Sequence, residues 1–249
     1  MWYYFDRWSR TGVIDELNLL IVSLSRRSEP KPDGTPRSAA PTALVVDAQS
    51  VTSGVRGWRE ARGFDGSKRV NGVKRHVVTD TGGRVVACLT ESANAHEGPL
   101  LRDLLIMLRS WGYAPGATVF ADASYRGQEA AAAREGYRLA VVTRADEAEA
   151  KRLGDGASRP VTKRWVIGQA FGALAHNRAV RVSYDRRSHN VEGVFLWANI
   201  ARLIKRLSSW TASQSRTLPR PNPSSMFTCA LLHVFLGRSD CLCNRFAAV

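Results

Sequence analysis

Three short runs of β-branched and apolar residues follow one another in the first half of the chain, at residues 43–51, 74–80 and 84–90. Thr81-Gly82-Gly83 separates the second run from the third, a hairpin signal that predicts an antiparallel meander. The period then changes. Leu100, Leu104, Leu105 and Leu108 recur at helical spacing across residues 96–108, and Pro99 is tolerated because it falls in the first turn. A buried-type strand at 118–122, an alanine-rich helix at 128–135, a short strand at 138–143 and helices at 162–178 and 191–207 complete the pattern.

The resulting order, β-β-β-α-β-α-β-α-α, joins an antiparallel meander to parallel crossover units. It predicts an α/β fold with a mixed sheet flanked by helices and matches the ribonuclease H-like order. Upstream, Leu17, Leu20, Ile21 and Leu24 predict a helix over 13–24, and residues 26–41 turn to Ser, Pro, Lys, Arg and Gly, the composition of a linker. Residues 146–150 are a charged stretch that reads as a solvated helix or loop. The expected organisation is an N-terminal segment 1–25, a linker 26–41, a main domain 42–208, and an irregular tail 209–249 with no defensible period.

Charge narrows the partner. Thirty-six Lys and Arg against 22 Asp and Glu leave a formal net charge of +14. Such an excess favours a polyanion, because each cation that neutralises a phosphate releases condensed counterions. Of the four cysteines, Cys88, Cys229, Cys241 and Cys243, three crowd the C-terminal end, and with no signal peptide they suggest neither a disulfide framework nor a zinc site. No apolar run reaches the roughly 18 residues of a membrane span. The expected location is cytoplasmic, in contact with the nucleoid, with no membrane partner.

Two acids stand out against this background. Asp47 interrupts the apolar run Leu44-Val45-Val46, and Asp122 ends Val119-Phe120-Ala121. An ionised carboxylate in such a setting needs a cap, an ion pair or a metal to offset its desolvation. Each alone reads equally well as a strand-end cap. Two of them side by side are what a divalent cation requires. Asp65 and Asp80 occupy glycine-rich turns, where Asp is ordinary, and read as structural.

Four phrases now carry a resemblance: 45–51 (Val-Val-Asp-Ala-Gln-Ser-Val), 62–76 (ending Lys74-Arg75-His76), 120–127 (Phe-Ala-Asp-Ala-Ser-Tyr-Arg-Gly) and 164–171 (Arg-Trp-Val-Ile-Gly-Gln-Ala-Phe). In this order they resemble the DDE transposases of bacterial insertion sequences, specifically the insertion sequence five group, over about residues 2–207. The resemblance implies two-metal phosphoryl transfer on DNA. Asp47 and Asp122 would ligate Mg²⁺ or Mn²⁺, first for nicking at transposon ends and then for attack of the freed 3′-hydroxyl on target DNA. It also implies double-stranded DNA as partner, at terminal inverted repeats and target, with a homodimer as the assembly it admits and no small-molecule cofactor.

The family pattern has a third metal-binding Glu where this chain has Gly168, followed by Gln169. No Asp or Glu occurs between Thr162 and Tyr184, and Asp185 matches a separate position. Loss of one member of a catalytic group acting as a unit costs on the order of 10⁴ to 10⁶ in rate. Little transposition is therefore expected, unless Gln169 or a water completes the coordination. A non-catalytic DNA-binding remnant is the alternative, and a basic RNA-binding protein is a third class.

Arg59, Arg62, Lys68, Arg69, Lys74, Arg75 and His76 are expected to form a positive hairpin beside Asp47 that grips the DNA backbone, with Arg126 and Arg164 adding to it. The plain alternative is a solvated turn. Trp165 reads as core, and Arg202, Lys205 and Arg206 as phosphate contacts or solvent-facing cations. Family members carry further sequence upstream that contributes to DNA binding, so residues 1–25 read as the remnant of such a region.

Overall fold

The structure is a computed structural model that describes residues 2–31, 34–54, 62–143 and 164–214, with side chains described to residue 208. Residues 1–207 form one compact unit; of a second, 208–249, only 208–214 are described, in helical conformation. The element order is α1 (Trp2–Arg10), α2 (Val13–Arg27), β1 (Ala43–Thr52), β2 (Gly63–Asp65), β3 (Val70–Asp80), β4 (Val85–Ser92), α3 (Glu97–Ser110) and β5 (Thr118–Ala121). A 3₁₀ turn (Ala123–Tyr125), α4 (Glu129–Arg134), β6 (Arg138–Val141), α5 (Trp165–Leu174), α6 (Arg178–Arg181) and α7 (Ser188–Gln214) follow.

A six-stranded mixed sheet runs in the order β2-β3-β1-β5-β6, with β4 also paired to β3. The meander expected from the Thr81-Gly82-Gly83 turn is present: β1 with β3 and β3 with β4 are antiparallel. β5 and β6 join in parallel, β5 against β1 and β6 against β5. Parallel neighbours need a crossover between them, and α3 and α4 supply those two connections.

Strand side chains alternate between faces, so each strand feeds two cores. Leu44 and Val46 of β1 join Val78, Val119, Ala121 and the Leu101, Leu104, Leu105 and Leu108 stripe of α3 on one face. Val45 joins Val77 and Val85 with Ile167, Ala170, Phe171, Phe195 and Leu196 from α5 and α7 on the other. Each fully buried Leu or Val contributes roughly 1.5–3 kcal/mol relative to exposure. The apolar spacing read from the sequence is thus the spacing that covers both faces of the sheet.

The differences from expectation lie at the ends. Where the spacing predicts one helix over 162–178, the described part breaks into α5 and α6. Asn177 caps α6, its side chain accepting from the Ala179 amide, and such a cap starts a new helix rather than prolonging the old one. Neither α1 nor the short β2 is among the expected elements. α2 runs past the expected linker boundary to Arg27 because Arg26 is buried, with its guanidinium 2.5 Å from Asp80 Oδ2. α2 is tied to the sheet by Asn18 Nδ2, which donates to the Val85 and Val86 carbonyls. The charged stretch 146–150 and nearly all of the tail lie outside the described residues. Among those described, no helix is long and apolar enough to cross a membrane.

Candidate active site

β1 and β5 bring the two singled-out acids together. Their parallel pairing sets Leu44 opposite Val119 and Val45 opposite Phe120. Asp47 and Asp122 each lie two residues further on, at the same level of the sheet. β5 ends at Ala121, and Asp122 turns the chain into the 3₁₀ segment, its Oδ1 accepting from the Ser124 amide at 2.9 Å. Asp122 is thus a strand-end cap. The cap occupies one carboxylate oxygen and does not exclude a ligand role for the group.

Asp47 lies inside the strand, with Oδ1 accepting from the Ala48 amide at 2.8 Å. Burial pushes its pKa above the usual carboxylate value; the negative charge of Asp122, and more weakly that of Glu97, pushes the same way. The Ala48 amide and the positive charge of Arg164 oppose the rise. The charges that act on Asp47 are thus those of Asp122, Arg164 and Glu97.

Gly168 sits on exposed surface of α5, a helix that packs against β1. It falls one helical turn after Arg164, and residues four apart occupy the same helix face. A Cβ built at Gly168 meets nothing within 4 Å. Residue 168 is therefore open to a longer side chain.

The 62–76 phrase does not act as a single basic patch. Arg62, Lys68 and Arg69 are exposed, on and around the β2–β3 turn, and Arg126 is exposed beside Asp122. Within β3, however, alternation splits Lys74-Arg75-His76 across the sheet. Arg75 is 1% exposed, donates to the Val180 carbonyl at 2.7 Å and stacks over the Phe195 ring at 5.4 Å. His76 is fully buried, with Nε2 2.9 Å from Glu91 Oε1. Lys74 is buried too, donating to the Ala95 carbonyl at 2.8 Å, with Nζ 3.7 Å from Glu97 Oε1. The expectation that Arg75 and His76 grip DNA does not fit these places: a run of consecutive residues in a strand cannot all face solvent when both faces are covered. Arg59 lies outside the described residues.

Other expectations meet mixed outcomes. Asp65 accepts from Ser50 Oγ and from the Ser67 and Lys68 amides, the turn role expected of it. Asp80 is fully buried between Arg26 and Arg84 and accepts from the Gly82 and Arg84 amides. Trp165, read as core, is 59% exposed. Arg202 turns inward to the Gly83 carbonyl and Asn199 Oδ1. Arg206 pairs with Glu29 at 2.5 Å.

Sequence reasoning missed Glu97 and Ser124. Ser124 Oγ lies 2.7 Å from Glu97 Oε2 and also contacts Asp122 Oδ1. Beneath them Tyr125 is fully buried, and its hydroxyl has no hydrogen-bond partner among the described residues. Burial, then Glu97, Asp47, Asp122 and Glu91, raise the Tyr125 pKa above the usual phenol value. Glu97 opens α3, where an acid ordinarily complements the helix N-terminus, and nothing local in the sequence marks it as part of this site.

Among the described residues no three His, Cys, Asp or Glu side chains close into a preformed metal cage. The donor set nonetheless fits a hard divalent cation. Carboxylate oxygens gather at one level of the sheet, and Mg²⁺ takes one or two such groups and keeps several waters. The buried Tyr125 hydroxyl has no hydrogen-bond partner among the described residues.

No curated protein matches the chain. A family model described as the transposase DDE domain matches residues 38–204, a span that contains the whole sheet, both acids and Gly168. The chain belongs to the transposase DDE domain family.

Proposed function

We propose that this chain descends from a transposase of the insertion sequence five group. Its reaction is divalent-metal-dependent cleavage of DNA at transposon ends followed by strand transfer, and it runs in impaired form because Gly168 stands where the third carboxylate belongs. Family membership supports DNA as the substrate and a divalent metal as the cofactor. Mg²⁺ or Mn²⁺, the terminal inverted repeats, a homodimer and the ribonuclease H-like arrangement of the mixed sheet are our reading. So is the division into a remnant N-terminal segment, a linker, the DDE domain and a tail.

The observation that carries the proposal is the common level of Asp47 in β1 and Asp122 just after β5, two neighbouring parallel strands, with α5, the helix that carries Gly168, packed against β1. A cation held between the two acids would neutralise charge developing on the transferring phosphoryl group. Arg164, close enough to temper the charge of Asp47, sits where a backbone phosphate would approach. Arg62, Lys68, Arg69 and Arg126 are exposed and can meet further phosphates from the β2–β3 turn and the 3₁₀ turn. Such cations position the duplex without reading its sequence. Asp47 is held inside a paired strand and Asp122 by the Ser124 amide, so both carboxylates are placed before DNA arrives.

The test is Mg²⁺-dependent cleavage of a labelled DNA end carrying the repeats that flank the gene, by the chain as it stands and by Gly168→Glu. Cleavage restricted to, or much stronger in, the variant supports the reading. Equal and robust cleavage by both would overturn the assignment of Gly168 as the lost ligand position. Retention of cleavage by Asp47→Asn would overturn the site itself.

A further inference from the structure

We infer that the exposed arginines of α6 and of the loop after it, Arg178, Arg181 and Arg186, form a second DNA-binding surface that takes the phosphate backbone of a duplex about six base pairs from Asp47. The inference rests on the reading of DNA as the substrate and extends the contact beyond the β2–β3 turn.

Backbone pairing fixes where this surface stands. Just past the end of β1, Ser53 and Ser183 form a parallel bridge. The Ser183 amide donates to the Thr52 carbonyl at 2.9 Å, and the Gly54 amide donates to the Ser183 carbonyl at 2.8 Å. The sheet therefore carries the segment after α6 as it would carry a short strand. Val180 anchors α6 in the core shared with α5 and α7. With Val180 and Ser183 buried, Arg178, Arg181, Tyr184 and Arg186 are left on the outside, and all four are exposed.

These guanidiniums have no acid of their own. Other exposed arginines do: Arg102 and Arg109 reach Glu135, and Arg187 reaches Asp6. The side chains of Arg178, Arg181 and Arg186 have neither an ion pair nor a hydrogen bond among the described residues. Asp185, the acid beside them in the chain, is partly buried, and the cation whose charge acts on it is Arg75. Arg178 and Arg181 are three apart on a helix, where side chains are neighbours and like charges repel. A row of phosphates relieves that repulsion, and each guanidinium fork can donate two hydrogen bonds to one phosphate. Tyr184, 50% exposed between them, brings a hydroxyl that is a further phosphate contact.

The spacing to the acids suits one continuous duplex. Asp47 and Ser53 are six residues apart on extended chain, about 20 Å at roughly 3.3 Å per residue. Duplex DNA rises about 3.4 Å per base pair, which makes the interval about six base pairs. α5 bridges the same interval. It starts beside Arg164, whose charge acts on Asp47, and ends at Leu174, three residues before the Asn177 cap of α6. Gly168, Gln169, Gly172 and Ala173 are exposed along it, and no acid there would repel a backbone lying across the helix.

The experiment is fluorescence anisotropy of the full chain with a labelled duplex of roughly 30 base pairs, long enough to span both places, over a salt series. We expect Arg178→Ala/Arg181→Ala/Arg186→Ala to lower the slope of log K against log salt by roughly 2 to 3 and to weaken binding about tenfold or more. Changing the same three residues to Lys keeps the charge and should keep the slope. Arg102→Ala/Arg109→Ala removes cations that already pair with Glu135 and should leave the slope unchanged. Unchanged slope and affinity in the triple Ala variant would refute this surface; if Lys68→Ala still flattens the slope, the DNA reading stands. Loss of the same size in the triple Lys variant would overturn the inference too, since charge would not be the cause. Tighter binding of duplex RNA than of duplex DNA, abolished in the triple Ala variant, would overturn the choice of partner. No binding of the duplex by the unaltered chain at low salt would remove the DNA reading and this inference with it.

Discussion

Asp47 of β1 and Asp122 after β5 stand at one level of the sheet, because the parallel register pairs Val45 with Phe120 and each acid follows by two residues. Parallel strands lie about 4.8 Å apart, so residues remote in the chain become lateral neighbours. Two partly buried like charges at that spacing repel. The raised pKa of Asp47, caused by burial first and by Asp122 in addition, is the electrostatic trace of that repulsion.

Gly168→Glu should raise Mg²⁺-dependent DNA nicking by a factor of about 10² or more, measured as initial rate on a labelled end, since a single member of a catalytic group is worth on the order of 10⁴ in rate. Gly168→Ala is the control. Open space around the built Cβ predicts no clash, and replacing a mid-helix glycine adds roughly 1 kcal/mol of stability. Its Tm should rise while nicking stays at the level of the unaltered chain.

Lys68→Ala and Arg69→Ala should each flatten the dependence of DNA affinity on salt, lowering the slope of log K against log salt by roughly 0.9 for each phosphate that is no longer neutralised. Both residues are exposed on the β2–β3 turn. Arg75→Ala should leave that slope unchanged and lower Tm, because its guanidinium is committed to the Val180 carbonyl and the Phe195 ring. Fluorescence anisotropy over a salt series separates the two outcomes.

Asp80→Ala should destabilise the fold by about 3–5 kcal/mol, the cost of stranding buried charges, here Arg26 and Arg84. Burial raises the Asp80 pKa, but the two guanidiniums and the Arg84 amide lower it further, and the net result lies below the ordinary 3.8. A depressed acid contributes stability above its unfolded pKa and loses it as pH falls through the folded value. The unaltered chain should therefore lose this contribution below about pH 3.8 and the variant should not, as read by urea unfolding across pH.

Glu192→Gln should stabilise the protein at pH 8 and have little effect at pH 4. The Glu192 carboxyl accepts from the Thr90 amide at 2.6 Å. Burial pushes its pKa from 4.5 to about 8 against that hydrogen bond, with Asp15 adding to the rise. A raised acid binds its proton more tightly in the folded state, so stability falls as pH climbs from about 4.5 to about 8. The residue keeps partial exposure, which limits the gain to a few kcal/mol at most. Gln retains an acceptor for Thr90. A variant whose Tm declines between pH 5 and pH 8 as steeply as the unaltered chain would exclude Glu192 as the source.

The strands other than β2, and the α3, α4 and α7 helices, were legible because their signals are local. β-branched runs between glycine turns and leucines at helical spacing report which face of each element will be buried, whatever it packs against. The two acids stood out for the same reason, since a carboxylate inside or at the end of an apolar strand needs a cap, an ion pair or a metal. The boundary between α5 and α6 was not, because a cap at Asn177 competes with helix continuation on nearly equal terms.

What the chain alone determined, then, was the order of elements, the two strand-borne aspartates and the glycine at residue 168. The tertiary structure decided which neighbours those residues have. It split Lys74, Arg75 and His76 between two buried faces, where the linear sequence suggests one basic patch. It also carried Glu97 of α3 to Ser124, beside Asp122, a juxtaposition that depends on how a helix docks across a sheet. The physical reason is common to both: periodicity specifies the direction in which a side chain leaves its own backbone, while the partner it meets is set by register and packing between segments far apart in the chain.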